Sequence, residues 1–214
     1  MAKKETTILQ LIISLTGITI VAALALSGVY LVTKNPIEKI KIEKNNAAKI
    51  AVLPGFDADE GTLTDFKVLP EGLTDSLTVT LAFVNNELFG AAVATYTNMA
   101  FSGRFDIMVG FDKEGNILNT ELLKHNETPG LGDRIDKKKG GFSLQFAGKN
   151  PNLNNLTVKK DGGEVDAITA ATISSRAFCN AVKNAYQGFQ IALKNVENLN
   201  NNDTLITEKE ENYE

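Results

Sequence analysis

The sequence predicts an α+β fold, in which one N-terminal transmembrane helix precedes a mostly antiparallel-sheet domain packed by helices. An uncharged apolar run opens the chain, alternating β-branched runs joined by short polar turns fill its middle, and an apolar period near 3.6 residues marks its last third. Strands in hairpins with helices near the chain ends are the pattern of an α+β domain with one sheet face buried under a helix. No Gly-x-Gly-x-x-Gly turn joins a strand to a helix, which argues against a doubly wound dinucleotide site.

Composition narrows the function classes. At 214 residues there is room for one domain of ordinary size and short appendages. A net charge of -4 offers a polyanion no attraction, so no nucleic acid partner is expected. The only cysteine, Cys179, excludes an intramolecular disulfide, and the only histidine, His125, leaves a metal site dependent on carboxylates at a spacing the chain lacks. Redox chemistry here calls for an organic cofactor.

Residues 1–7 are a short segment carrying Lys3 and Lys4. Residues 8–32 hold no charge and exceed the roughly 20 residues that cross a bilayer, so they read as a transmembrane helix in contact with membrane lipid. A cleaved signal peptide is the rival, but its apolar region runs only about 7 to 15 residues. Lysines flank both ends, Lys34, Lys39, Lys41 and Lys44 following the span, and a strict count leans toward a cytoplasmic domain. Residues 33–55 predict a juxtamembrane amphipathic helix, with Pro36 in its first turn and Pro54-Gly55 as its stop.

The domain proper is expected over 56–197. Residues 77–84 and 88–96 alternate and flank Asn85-Asn86, which predicts a hairpin. Residues 105–111 and 117–123, joined through Asp112 to Asn116, predict a second, and residues 156–160 and 164–168 about Asp161-Gly162-Gly163 a third. Ile173, Ala177, Phe178, Ala181, Val182, Ala185, Phe189 and Ala192 fall on one face of a long helix that must lie against the sheet. Residues 198–214, rich in Asn and Glu, predict a disordered tail.

Two segments are candidate sites. Asp166-Ala167-Ile168-Thr169-Ala170-Ala171-Thr172-Ile173-Ser174-Ser175 leads into that helix with small residues and four hydroxyls. The free amides and dipole of a helix start favour an anion such as phosphate, although plain capping by Thr169, Thr172 or Ser174 explains the same residues. Upstream, His125-Asn126-Glu127-Thr128-Pro129-Gly130-Leu131-Gly132-Asp133 has a fixed backbone path suited to a binding loop or to a rigid connector. A membrane-tethered non-catalytic binding domain fits both segments. A serine hydrolase would need His125 beside a nucleophile such as Ser174.

The run from Asp166 to Ser174 resembles the Asp-x-x-Ser/Thr-Gly/Ala-Ala-Thr-x-Ser/Thr signature of proteins flavinylated on threonine. The loop from Glu127 is similar to the Glu-Thr-Pro-Gly-Leu-Gly loop of the G subunit of Rnf electron-transport complexes and the C subunit of sodium-pumping NADH:quinone reductases. Gly-Leu-Gly-Asp and the modest length look more like the Rnf protein, with the quinone-reductase one as the alternative. Where many members have Gly, this chain has Ala170.

The resemblance implies covalent FMN, joined by a flavin transferase as a phosphodiester on Thr172. The phosphate is then expected near Thr169, Ser174 and Ser175 and the ring near Thr128, Gly130 and Leu131, with Ala171 and Glu127 also among the FMN-binding residues. It further implies an electron carrier, a redox subunit of an ion-translocating oxidoreductase rather than a complete enzyme. Its partners would be the other membrane and peripheral subunits of an Rnf-type complex, which couples ferredoxin and NAD oxidoreduction to Na⁺ or H⁺ movement. The chain would sit single-pass in the bacterial cytoplasmic (inner) membrane with its FMN domain on the periplasmic or external side.

Overall fold

A computed structural model describes residues 7–210 of the chain, so Lys3 and Lys4 lie outside the described residues. Helix α1, Ile8–Ala51, is one continuous element, long and apolar enough to cross a membrane. The juxtamembrane helix expected over 33–55 is therefore the continuation of the span. Pro36 fits inside because the proline ring holds φ near the helical value, and the loss is confined to one hydrogen bond and local crowding of the preceding turn. Large apolar side chains from Ile8 to Ile42 are all exposed in the isolated chain, among them Leu24, Leu26 and Val32.

The chain divides into two compact units, residues 1–45 and 46–214, so the second unit begins ahead of the expected boundary at 56. Within it, β1 (Gly61–Val68), β2 (Leu77–Val84), β3 (Glu87–Ala100), β4 (Gly103–Asp112) and β5 (Ile117–Lys124) form one antiparallel sheet in sequence order. Asn85 and Asn86 both adopt left-handed backbone, at φ 52 and 63, as the tight turn of the predicted first hairpin requires. The second hairpin, β4 with β5, is also as predicted.

Alternation sends successive side chains to two different cores. Val79, Leu81, Val93, Ile107, Val109 and Phe111 face helix α2, Thr172–Glu210, whose Phe178, Val182, Ala185 and Phe189 meet them. Between those positions Ala82, Ala92 and Met108 pack on the opposite side with Ala48, Val52, Leu53 and Phe56. The sheet is thus buried on both faces where the site-bearing helix and the last turn of α1 press on it.

Three features differ from expectation. Strand β1 has no counterpart among the predicted strands. The third hairpin is not formed: residues 156–168 hold a 3-10 turn, Lys159–Asp161, and one isolated parallel bridge between Val158 and Val165. Leu156, Val158, Val165 and Ile168 are instead four anchors buried in the α2 core, and the Glu164 carboxylate binds Asn155 N–H and the Asn154 amide, which closes the segment on itself. Helix α2 continues past Asn198 to Glu210, where a disordered tail was expected, because no Gly or Pro stands between Asn198 and Glu210 to stop it. Residues 211–214 of that expected tail lie outside the described residues.

Candidate functional site

The segment before α2 is held from below and from the side. Ser175 is fully buried; its Oγ accepts the Ile168 N–H at 2.9 Å and donates to the Ala171 carbonyl at 3.0 Å. Gln145 clasps the Asp166 backbone at both its N–H and its carbonyl, 2.8 and 3.1 Å. Lys159 pairs with Asp166 at 2.7 Å, and Arg176 makes two 2.7 Å bonds to Asp161 that hold the Asp161 carboxyl below its usual range. Between these ties the chain turns sharply at Ala170, which adopts a left-handed φ of 61. Thr172 is then the first residue of α2.

The loop after β5 meets this helix start through one carboxylate. Glu127 is buried; its Oε1 accepts the Ser102 N–H at 2.9 Å, and its Oε2 accepts the Ser174 hydroxyl. Gly132 roofs the pair so closely that a Cβ there would overlap both Glu127 Oε2 and Ser174 Oγ. Thr128 supplies its carbonyl to the N–H groups of Leu131 and Asp133, which fixes the loop around Gly130 at φ 79. Asp133 is held well below the usual carboxylate range by its 3.0 Å hydrogen bond from Lys139.

The expected site residues separate into two groups. Thr169, Thr128, Gly130 and Leu131 are exposed and Thr172 is half-buried, with open space beside Gly130 and apolar surface on Leu131 and Ile173. Ala171, Ser174, Ser175 and Glu127 are buried, and the last three are already engaged within the chain. No described residue hydrogen-bonds the Thr172 hydroxyl. The N–H groups of the first helical turn lack partners within the helix, apart from Ser175 N–H, which reaches the Ala171 carbonyl.

The arrangement provides a free hydroxyl at a helix start, donors for an anion and exposed apolar side chains. It does not provide a hydrolase. Ser174 is committed to Glu127, and His125 Nδ1 accepts the Glu127 N–H at 3.2 Å. Among the described residues no group of His, Cys, Asp and Glu has the arrangement of a metal site.

Sequence reasoning missed Ser102, which enters through its backbone and has no side-chain signal. It also missed Gln145 and Arg134, which with Phe142, Asp166 and Thr169 line a cleft of about 360 Å³ beside the helix start.

The family model described as FMN-binding domain matches residues 100–187, which takes in both segments. The chain is 33% identical to the G subunit of the ion-translocating oxidoreductase complex of Yersinia pestis over 159 residues, 72% of this chain and 76% of that one. It is 34% identical to the protein of the same name from Pasteurella multocida, covering 73% and 81% of the two chains. To that of Vibrio atlanticus it is 39% identical over 119 residues, where the match spans only 57% of the relative's length.

Proposed function

The chain belongs to the family formed by the G subunits of ion-translocating oxidoreductase complexes, and we propose that it carries one FMN covalently on Thr172 and relays electrons between the other redox subunits of such a complex. The observation that carries this reading is the state of Thr172. Of the hydroxyls packed at the start of α2, Ser174 and Ser175 are spent inside the fold, while that of Thr172 is free at the helix terminus.

The residues present fit the group. The N–H groups of the first turn and the exposed Thr169 hydroxyl suit a phosphate, and the helix dipole favours its charge. Thr128, the open backbone at Gly130, and Leu131 suit a planar ring, which needs an apolar face and room to lie flat. Ser174, Ser175, Ala171 and Glu127 support that surface from beneath.

Attachment is the work of a flavin transferase with FAD as donor. Thr172 Oγ bonds to the phosphorus of the FMN half as the pyrophosphate bond breaks, the hydroxyl proton is lost, and AMP leaves. Bound FMN supplies one-electron and two-electron chemistry. What the chain contributes is a carrier that cannot dissociate, held by a helix start clamped to the sheet. We place it as a single-pass protein of the bacterial inner membrane, its flavin domain on the periplasmic side, in a complex that couples ferredoxin and NAD oxidoreduction to Na⁺ or H⁺ movement.

The test is the intact mass of the full chain after co-expression with a flavin transferase. The wild type gains one FMN less one water, and Thr172→Ala gains nothing. An unmodified wild type, or modification that survives Thr172→Ala, rejects the assignment.

A further inference from the structure

The cleft of about 360 Å³ beside the start of α2 falls within the range of roughly 300 to 1,000 Å³ found for ligand sites. Asp166 to Thr169 line it from the segment before the helix, and Arg134, Gly140, Gly141 and Phe142 line it from the continuation of the loop after β5. Most of its polar groups are engaged within the chain. Gln145 binds the Asp166 backbone at both N–H and carbonyl, the Asp166 carboxylate pairs with Lys159, and Ile168 N–H reaches Ser175 Oγ.

Two side chains remain. Among the described residues the Arg134 guanidinium forms no hydrogen bond or ion pair, and neither does the exposed Thr169 hydroxyl. Both can donate, and the guanidinium carries a permanent positive charge. Gly140 fixes the root of the arginine. A Cβ there would stand 2.7 Å from the Arg134 carbonyl and 3.1 Å from its Cβ, so bare backbone packs on the stem and leaves the far end to the cleft. Donors with an uncompensated positive charge, beside Phe142 and Ile168 at 6% and 9% exposure, are complementary to an oxyanion.

The attachment residue is returned to this wall by a tight turn. Ala171 N–H bonds the Ile168 carbonyl at 3.0 Å, which closes a β-turn over Ile168 to Ala171 and holds its end residues within about 7 Å at Cα. Ile168 lines the cleft, and Thr172 follows Ala171 directly. We infer that the cleft is a phosphoryl-binding site with Arg134 as its cation and, resting on the reading of Thr172 given above, that the phosphate it holds is that of the FMN diester. The planar fork of arginine can meet both non-bridging oxygens of a diester together, which a lysine cannot.

A free nucleotide offers the same phosphoryl chemistry, so the test has two arms. In the first, the full chain is made without a flavin transferase and titrated in detergent micelles with FMN and with riboflavin, and bound flavin is followed by fluorescence polarisation. FMN is expected to bind about tenfold more tightly than riboflavin, the ratio one charge-assisted pair supplies. Arg134→Gln should bring the two within about twofold, whereas Lys138→Gln, which removes the same charge from an exposed turn outside the cleft, should leave the ratio unchanged. In the second arm, the ³¹P line of inorganic phosphate should broaden with the flavin-free wild type, and not with R134Q or with the FMN-loaded wild type.

FMN that binds no more tightly than riboflavin, or a ratio that survives R134Q, overturns the site. An equal loss in K138Q overturns it too, because that marks general surface charge. Phosphate broadened as much by the loaded chain as by the flavin-free one overturns the diester as occupant and assigns the cleft to a free nucleotide. A wild type that gains no FMN from the transferase rejects instead the reading of Thr172, while the first arm still decides the cleft.

Discussion

At Ala170 a single methyl group is held against its preference. Its φ of 61 lies in the left-handed region, where an L side chain costs about 1 kcal/mol relative to the right-handed one. The strain persists because both sides of the turn are fixed, by the Ser175 bridge from Ile168 to Ala171 and by the Gln145 clasp on Asp166. Ala170→Gly removes the methyl and keeps the turn, so it should raise stability by about 1 kcal/mol, or about 3 °C in Tm for a domain of this size. Thermal unfolding of wild type and variant, both without flavin, measures it. A variant of equal or lower Tm would mean that glycine's extra freedom in the unfolded chain outweighs the relieved strain. Part of this was legible: Ala170 stands where the resembling family often has Gly, a sign that the turn wants a residue without Cβ. The roles of Ser174 and Ser175 were not, because their number and spacing match a phosphate cradle as well as a set of internal ties. Only the burial of both, and the Glu127 partner brought from far along the chain, distinguishes the two.

The elements that bear the site are set by close approaches of backbone to backbone. Gly110 lies mid-strand in β4, and a Cβ there would overlap the carbonyl of Val52 at the end of α1. The second core, Ala48, Val52, Leu53, Ala82, Ala92 and Met108, closes only because that position is bare. Gly110→Ala should therefore force α1's last turn off the sheet and cost about 3 kcal/mol, at the upper end of overpacking penalties. Urea unfolding of the full chain in detergent micelles reads it, and a loss well under 1 kcal/mol would show that the contact gives way freely. Strands β2 to β5 were legible because each carries alternation toward the α2 core. Strand β1 was hidden, since it is an edge strand whose middle residues, Leu63 to Asp65, are exposed, so no apolar face announces it. The absent third hairpin shows the converse. Leu156, Val158, Val165 and Ile168 carry a strand-like apolar content, yet each serves as a separate plug into a core built by other elements.

For the molecule as a whole, composition and architecture settle the membrane span more firmly than its direction. The lysines after the span draw the domain toward the cytoplasm under the positive-inside rule, whereas the placement proposed above puts it outside. The chain contains its own means of deciding. Cys179 is its only cysteine, 3% exposed on the inner face of α2, and burial pushes its thiol up to about 12. A thiol reacts as thiolate, so at neutral pH this one is nearly inert and the chain is a silent background for labelling. Lys138 lies exposed in the turn between Asp136 and Gly140, where a new cysteine disturbs no side-chain contact. With Lys138→Cys, a membrane-impermeant maleimide added to intact cells, whose outer membrane has been opened if they have one, should label the variant fully and the wild type not at all. Labelling of the variant only after the inner membrane is lysed would place the domain in the cytoplasm. Lys34, Lys39, Lys41 and Lys44 would then be the residues that orient the chain, and any electron path through Thr172 would have to begin and end on that side.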